Sequence, residues 1–159
     1  MIAEQLAGRR VAITGATGFV GTALVERLLR GAPDCSLVLI VRDGRRTSAA
    51  RRTEREILAN DAFDRLRSEL ANTEEDFEAM RRRRITTTSG DIGRDGLGLD
   101  QSGRNELRTV DTIIHSAATV SFDGQPDQAV HPHLLPPAST AAPSAQPRPP
   151  PPPPPAPDP

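Results

Sequence analysis

Val11-Ala12-Ile13-Thr14-Gly15-Ala16-Thr17-Gly18-Phe19-Val20-Gly21 is an apolar run of strand length, then glycines at every third position, then the start of an amphipathic pattern. A strand that ends in glycines and feeds a helix is a phosphate-binding device. Backbone N–H groups point into the turn, and the helix N-terminus carries partial positive charge. Gly15 allows the sharp turn, Gly18 allows the backbone to approach a pyrophosphate, and Gly21 allows the helix to pack close to the strand. The spacing G-x-x-G-x-x-G is one residue longer than the G-x-G-x-x-G fingerprint. With a strand before it and a helix after it, the motif predicts dinucleotide binding.

The surrounding composition sets the limits. The chain has 159 residues, and fifteen of its 16 prolines fall between Pro126 and Pro159. Two regions follow: residues 1–123 as an NAD(P)-binding domain, and residues 124–159 as a proline-rich tail. A net charge of −1 gives no basic footprint for nucleic acid. All 20 basic residues are Arg, with no Lys, Tyr or Trp. The single Cys35 excludes an internal disulfide and suits a reducing compartment, the cytoplasm. No apolar run reaches the roughly 20 residues of a membrane span, and Glu4 near the start argues against a signal peptide.

Reading outward from the glycines, strand one covers residues 10–14 and a helix runs over 19–30. Val20, Ala23, Leu24 and Leu28 make its apolar stripe, with Glu26, Arg27 and Arg30 off it. Gly31 and Pro33 stop the helix. Ser36–Val41 is a continuous apolar run, as expected of a parallel strand covered on both faces. Strand, helix and strand in about 30 residues form a right-handed βαβ unit. The tip of the second strand carries Arg42 and Asp43. An acid there would bind the ribose 2′-OH of NAD, whereas an arginine suits the 2′-phosphate of NADP. Arg42, with Arg45, Arg46, Arg51 and Arg52 nearby, favours NADP(H) over NAD(H). The competing readings are Asp43 on the ribose, or a merely solvated arginine loop.

Residues 48–70 have helical composition with no Gly or Pro, and residues 74–84 form a second helix. Its end, Arg81–Arg84, reads as a solvated terminus that complements the helix dipole. Strand three spans 85–88, followed by Gly90-Asp91-Ile92, where an Asp could accept a hydrogen bond from adenine. A Gly/Asp loop covers 93–103, a short helical piece 104–108, and strand four 110–115. His115 reads as a strand-end packing residue rather than a base, and no metal-ligand cluster surrounds it. The small residues Ser116 to Thr119 leave room at that tip for a ribose or a flat ring.

Together these segments resemble the extended short-chain dehydrogenase/reductase superfamily, and within it the male-sterility-type fatty acyl-CoA reductase and thioester reductase group. The resemblance rests on Thr14–Gly21, Leu39–Arg42, Gly90–Ile92 and His115–Asp123. It implies a Rossmann-type, doubly wound parallel sheet (α/β class) ordered 3-2-1-4, of which this chain holds the N-terminal half. It also implies reduction of an acyl-CoA or acyl thioester to aldehyde or alcohol with NADPH. By the same resemblance Thr17, Gly18, Phe19 and Val20 contact the pyrophosphate, within the cofactor-binding turn that Gly15 and Gly21 shape, and Arg42 contacts the 2′-phosphate. Asp91 and Ile92 bracket the adenine, and Ala117, Ala118 and Thr119 line the nicotinamide ribose.

The chain departs from that family in chemistry. The superfamily uses a Tyr and, four residues later, a Lys as its proton-donating pair; this chain contains neither. No catalytic residue is therefore assigned. Pro132 interrupts the helix expected after strand four. Pro136–Pro159, with seven consecutive prolines from Pro149 to Pro155, reads as a disordered polyproline II segment. It is either the product of a frameshift or truncation, or a ligand for a polyproline-binding partner. A fragment would leave strand four as an open, aggregation-prone edge. The alternatives to an inactive reductase fragment are a non-catalytic nucleotide-binding module and a sugar-nucleotide- or steroid-type dehydrogenase.

Overall fold

The computed structural model describes residues 2–71, 73 and 76–117. Ala118, Thr119, the rest of the strand-four motif, the domain boundary at residue 124 and the proline-rich segment lie outside the described residues. Four strands among the described residues form one sheet: β1 (Arg10–Thr14), β2 (Ser36–Val41), β3 (Ile85–Ser89) and β4 (Thr112–His115). Their order is β3-β2-β1-β4 and every pairing is parallel, as the sequence predicts. Thr14 stands opposite Ile40 and His115, and Val41 opposite Ser89. The four C-terminal strand ends therefore make one rim.

The central strands are apolar over Val11–Ile13 and Leu37–Val41 because both faces are covered there. Val11, Ile13, Leu37, Leu39 and Val41 face a cluster that includes Val25, Leu28 and Leu29 of the helix after β1, with Ile57 and Phe63 from the segment after β2. Ala12, Val38 and Ile40 face a smaller cluster completed by Leu97 and Leu99. Phe63 is fully buried and meets Phe77 edge to face, with centroids 6.1 Å apart. Burial of such a ring contributes about 3 kcal/mol.

Among the described residues six α-helices surround the sheet: α1 (Ile2–Leu6), α2 (Phe19–Gly31), α3 (Ala49–Arg52), α4 (Asp64–Leu70), α5 (Phe77–Arg84) and α6 (Gln101–Leu107). The phase of α2 differs from the expected stripe. Its buried residues are Gly21, Thr22, Val25, Glu26, Leu28 and Leu29, while Ala23 is exposed and Val20 is 67% exposed. The glycine contact fixes the rotation: Gly21 must face β1, which turns Val20 outward. Glu26 tolerates burial because Arg30 Nε donates to it at 2.6 Å.

The stretch 48–70 is not one helix. A six-residue π-helical segment, Thr53–Leu58, follows α3, and a 3₁₀ turn, Asp61–Phe63, precedes α4. Asn60 makes the break: its side chain accepts from the Ala62 N–H at 2.9 Å, competing with the helical ladder. Helix α6 begins earlier than expected because Asp100 caps it, accepting from the Gly103 N–H at 2.7 Å.

Arg84 is the largest departure from the sequence reading. It is 4% exposed and ends α5, yet it serves α2. Its guanidinium donates to the carbonyls of Leu29 and Ala32 at 2.5 Å each, Cys35 at 2.8 Å and Leu28 at 3.3 Å. A rigid cationic fork thus satisfies the C-terminal carbonyls of the helix that carries the glycine turn. Truncating it would take this donor from the Leu29 and Cys35 carbonyls, at about 1–3 kcal/mol for each buried group left unpaired, while the Leu28 and Ala32 carbonyls keep the N–H groups of Ala32 and Cys35 at 3.0 Å. Arg84→Met should lower the unfolding free energy in urea by about 3 kcal/mol. The exposed Arg82→Ala should change it by less than about 0.5 kcal/mol.

Candidate dinucleotide site

The rim of strand ends carries the predicted residues. Gly15 leaves β1 with φ +74°, in the left-handed region open to glycine. A Cβ there would lie 2.6 Å from Ala117 Cα. A Cβ at Gly21 would strike the Gly15 carbonyl and stand 2.8 Å from Ala16 Cα. These two glycines are therefore demanded by packing: one lets the exit of β4 cross the exit of β1, and the other seats α2 on the turn. Gly18 is different. It is exposed with ordinary extended backbone (φ −81°, ψ 165°), and a Cβ would meet only the Gly15 carbonyl at 3.3 Å.

The turn is held by the Gly18 N–H donating to the Gly15 carbonyl at 3.0 Å and by Thr22 Oγ1 donating to the Ala16 carbonyl at 3.0 Å. Gly18 occupies the N-cap position of α2 and supplies no side-chain cap. Among the described residues no side chain caps the first-turn N–H groups, which stand at the positive end of a 13-residue helix. Thr17 is half-buried, and Phe19 is 92% exposed beside this opening. This arrangement fits a pyrophosphate.

Thr14 Oγ1 and His115 Nδ1 share a 2.7 Å hydrogen bond that ties β1 to β4 behind the turn. The Ser116 N–H donates to the Thr14 carbonyl at 3.1 Å, so the chain leaves β4 alongside β1 and delivers Ala117 to Gly15.

A second concavity, of about 240 Å³, lies at the ends of β2 and β3. Arg42, Asp43, Ser89, Gly90, Asp91, Arg94 and Gly98 line it. The structure thus brings the predicted Arg42 and Asp91 together. Ile92 packs on the smaller hydrophobic cluster and is not among the cleft's lining residues. Asp43 is committed to the protein: one carboxylate oxygen accepts from the Ala49 N–H at 2.6 Å and the other from Ser89 Oγ at 2.5 Å. These bonds, the Ser89 hydroxyl first, hold its carboxyl below the usual aspartate range. The Arg42 guanidinium makes no hydrogen bond among the described residues; its carbonyl accepts from Arg52 at 2.6 Å. Sequence reasoning missed Ser89, Gly90, Arg94 and Gly98. Gly90 had a signal in the Gly90-Asp91-Ile92 motif, and the structure gives its reason: a Cβ there would lie 2.6 Å from Ile40 Cγ2. Arg94 had none inside its Gly/Asp loop.

Comparison with known proteins meets this geometry. The family model described as male sterility protein, an NAD-binding family, matches residues 13–138. The chain belongs to that family. It is the fatty acyl-CoA reductase branch of the extended short-chain dehydrogenases, and the family binds a nicotinamide dinucleotide. Fatty acyl-CoA reductase 1 of Arabidopsis thaliana is 35% identical over 127 residues, covering 78% of this chain and 26% of that protein. The reductase domain of a non-ribosomal peptide synthetase from Mycobacterium tuberculosis is 35% identical, with a TM-score of 0.53 over 87% of this chain and 33% of that one. The terminal R domain of the myxalamid biosynthetic pathway is 31% identical, with a TM-score of 0.54 over 82% and 30%. The chain therefore spans about a quarter of the length of this curated relative and about a third of these solved domains.

Two tests follow from this geometry. Gly21→Ala should lower the unfolding free energy by about 3 kcal/mol through backbone collision, whereas Gly18→Ala should change it by less than about 1 kcal/mol; urea denaturation reads both. For Asp43, the native pKa lies below the unfolded value, so its stabilising bonds are fully present above the ordinary 3.8 and fade as pH falls through the native value. The stability difference between the wild type and Asp43→Asn should hold constant from about pH 5 to 8 and shrink only below about pH 4.

Proposed function

We propose that this chain is the NADP(H)-holding portion of a reductase acting on fatty acyl thioesters. The observation that carries the cofactor choice is the division of labour at the tip of β2. Asp43, the residue that could have taken a ribose 2′-OH, spends its carboxylate on Ser89 and Ala49. Arg42 keeps its guanidinium uncommitted among the described residues and lines the cleft. A planar, permanently charged fork beside the ribose selects a 2′-phosphate.

On this reading Gly15, Thr17, Gly18, Phe19, Val20 and Gly21 form the pyrophosphate turn, and Arg42 takes the 2′-phosphate. Asp91 offers its carboxylate to the adenine amino group, with Ile92 supporting that wall from the core side. Ala117 to Thr119 line the nicotinamide ribose. The bound cofactor would supply hydride; the chain's own residues bind and orient it. The substrate assignment rests on the relatives, whose names specify fatty acyl-CoA reduction. With neither Tyr nor Lys in its sequence, the chain by itself holds cofactor without turning it over. The single free, buried Cys35 supports a reducing, cytoplasmic setting. Residues 1–123 form the binding unit.

Arg42→Ala should weaken NADP(H) binding by on the order of tenfold to a hundredfold, the value of about 1.5–3 kcal/mol for a charge-assisted contact. It should leave NAD(H) binding nearly unchanged. Titration of the full chain with both dinucleotides checks this; equal losses would remove Arg42 from the 2′-phosphate.

A further inference from the structure

The arginines of this chain are mostly committed. Arg9 pairs with Asp111, Arg10 with Glu106, Arg30 with Glu26, Arg65 with Glu69 and Arg67 with Asp64, and Arg84 is buried on carbonyls. Of the two that line the cleft, Arg42 forms no ion pair among the described residues and Arg94 forms only a long one with Asp91. Like Arg42, the Arg94 guanidinium makes no hydrogen bond among the described residues. Its side chain is 74% exposed, and its Nε stands 4.0 Å from the Asp91 carboxylate, beyond hydrogen-bond reach.

The loop that carries Arg94 is built to hold it at the cleft. Asp91 Oδ1 accepts from the Gly93 N–H at 3.0 Å, and the Asp91 carbonyl accepts from the Arg94 N–H at 3.0 Å. The Arg94 carbonyl accepts in turn from the Leu97 N–H at 3.0 Å, and the Asp91 N–H donates to the Leu97 carbonyl at 2.7 Å. Gly96, Leu97 and Gly98 all have φ between +57° and +60°. For Leu97 that conformation is strained, because its Cβ crowds the following carbonyl oxygen. Its side chain offsets the cost by burial, 1% exposed, against the cluster of Ala12, Val38, Ile40 and Leu99. A Cβ at Gly98 would lie 2.9 Å from Arg94 Cδ, so glycine there makes room for the arginine stem.

Charge decides what the cleft can take. Its ionised lining residues are Arg42, Asp43, Asp91 and Arg94. With Arg42 as the sole cation the lining would be net negative and would repel a phosphate dianion. Arg94 brings it to neutrality and adds a second fork. We infer that Arg94 is a specificity-determining residue of the cleft, gripping the ribose 2′-phosphate from the β3 side while Arg42 grips it from the β2 side. The inference rests on the NADP(H) reading above.

The test uses the full chain with 2′,5′-ADP and 5′-AMP, the adenosine half of the cofactor with and without the 2′-phosphate, in calorimetric titrations. The wild type should prefer 2′,5′-ADP. Arg94→Ala should weaken 2′,5′-ADP about tenfold and leave 5′-AMP within about twofold, and Arg94→Lys should recover part of the loss. Because the side chain is exposed, thermal unfolding of the variants should match the wild type. Equal losses for both ligands would mean that Arg94 serves the adenine, and unchanged 2′,5′-ADP binding would mean that it serves neither; each result overturns the inference. In those cases a selective loss in Arg42→Ala leaves the NADP(H) reading standing. A wild type that binds both ligands equally overturns the NADP(H) reading and this inference with it.

Discussion

Three elements meet at Gly15, and the distance between them leaves no room for a single methyl group. The exit of β4 passes over the exit of β1 with Ala117 against Gly15, and α2 rests Gly21 on the Gly15 carbonyl. The chain proceeds from β1 toward β2 on one side and returns to β4 on the other, as the order β3-β2-β1-β4 requires. A crevice must therefore open where the direction of winding reverses, above the carboxyl ends of the strands. The glycine turn closes the floor of that crevice, and the uncapped start of α2 points into it. The opposite end of β1 is pinned by charge instead: Asp111 accepts from the Arg10 N–H at 2.7 Å and pairs with Arg9 at 3.2 Å. One end of the strand is thus fixed by side chains, and the other is stripped of them.

That contrast explains what could be read from sequence. β1 and β2 are covered on both faces, so their apolar runs match the observed strands to the residue. Gly15 and Gly21 announce themselves because no other residue fits there. The phase of α2 was not legible from its own periodicity. Val20 and Ala23 satisfy a helical stripe, yet the constraint that orients the helix comes from Gly21, outside any hydrophobic count. Nor was Arg84 legible. Four consecutive arginines look like a solvated terminus, and only the packing of α5 beside the end of α2 selects one of them for burial. Arg94 was hidden for a related reason. A loop of Gly and Asp gives no periodic signal, and its shape depends on Leu97 reaching a core built by β1 and β2.

Arg84 and the glycine turn act on the same helix from opposite ends. Backbone dipoles leave α2 with open N–H groups in the turn that follows Gly18 and open carbonyls near Ala32. The carbonyl end is neutralised internally by a buried cation held at four points. The N–H end receives no side-chain cap among the described residues. A helix satisfied at both ends by its own protein would gain stability and lose its use for an anion. The asymmetry places the unsatisfied end at the rim, where a pyrophosphate would supply the missing acceptors.

On the proposed reading, binding and turnover are carried by separable parts of the polypeptide. Phosphate contacts come from β1, α2 and the tip of β2, and adenine contacts from the loop after β3; all fall within the described residues. The proton-donating pair of the superfamily comes from residue types absent from this sequence. Cofactor affinity and reduction should therefore respond to different changes. Contacts at Arg42 alter how tightly the dinucleotide is held without supplying a proton. A proton donor, conversely, would act only on a nicotinamide already positioned by the crossing of β1 and β4. The steric demand at Gly15 thus comes before the chemistry, because it determines where a hydride can be presented.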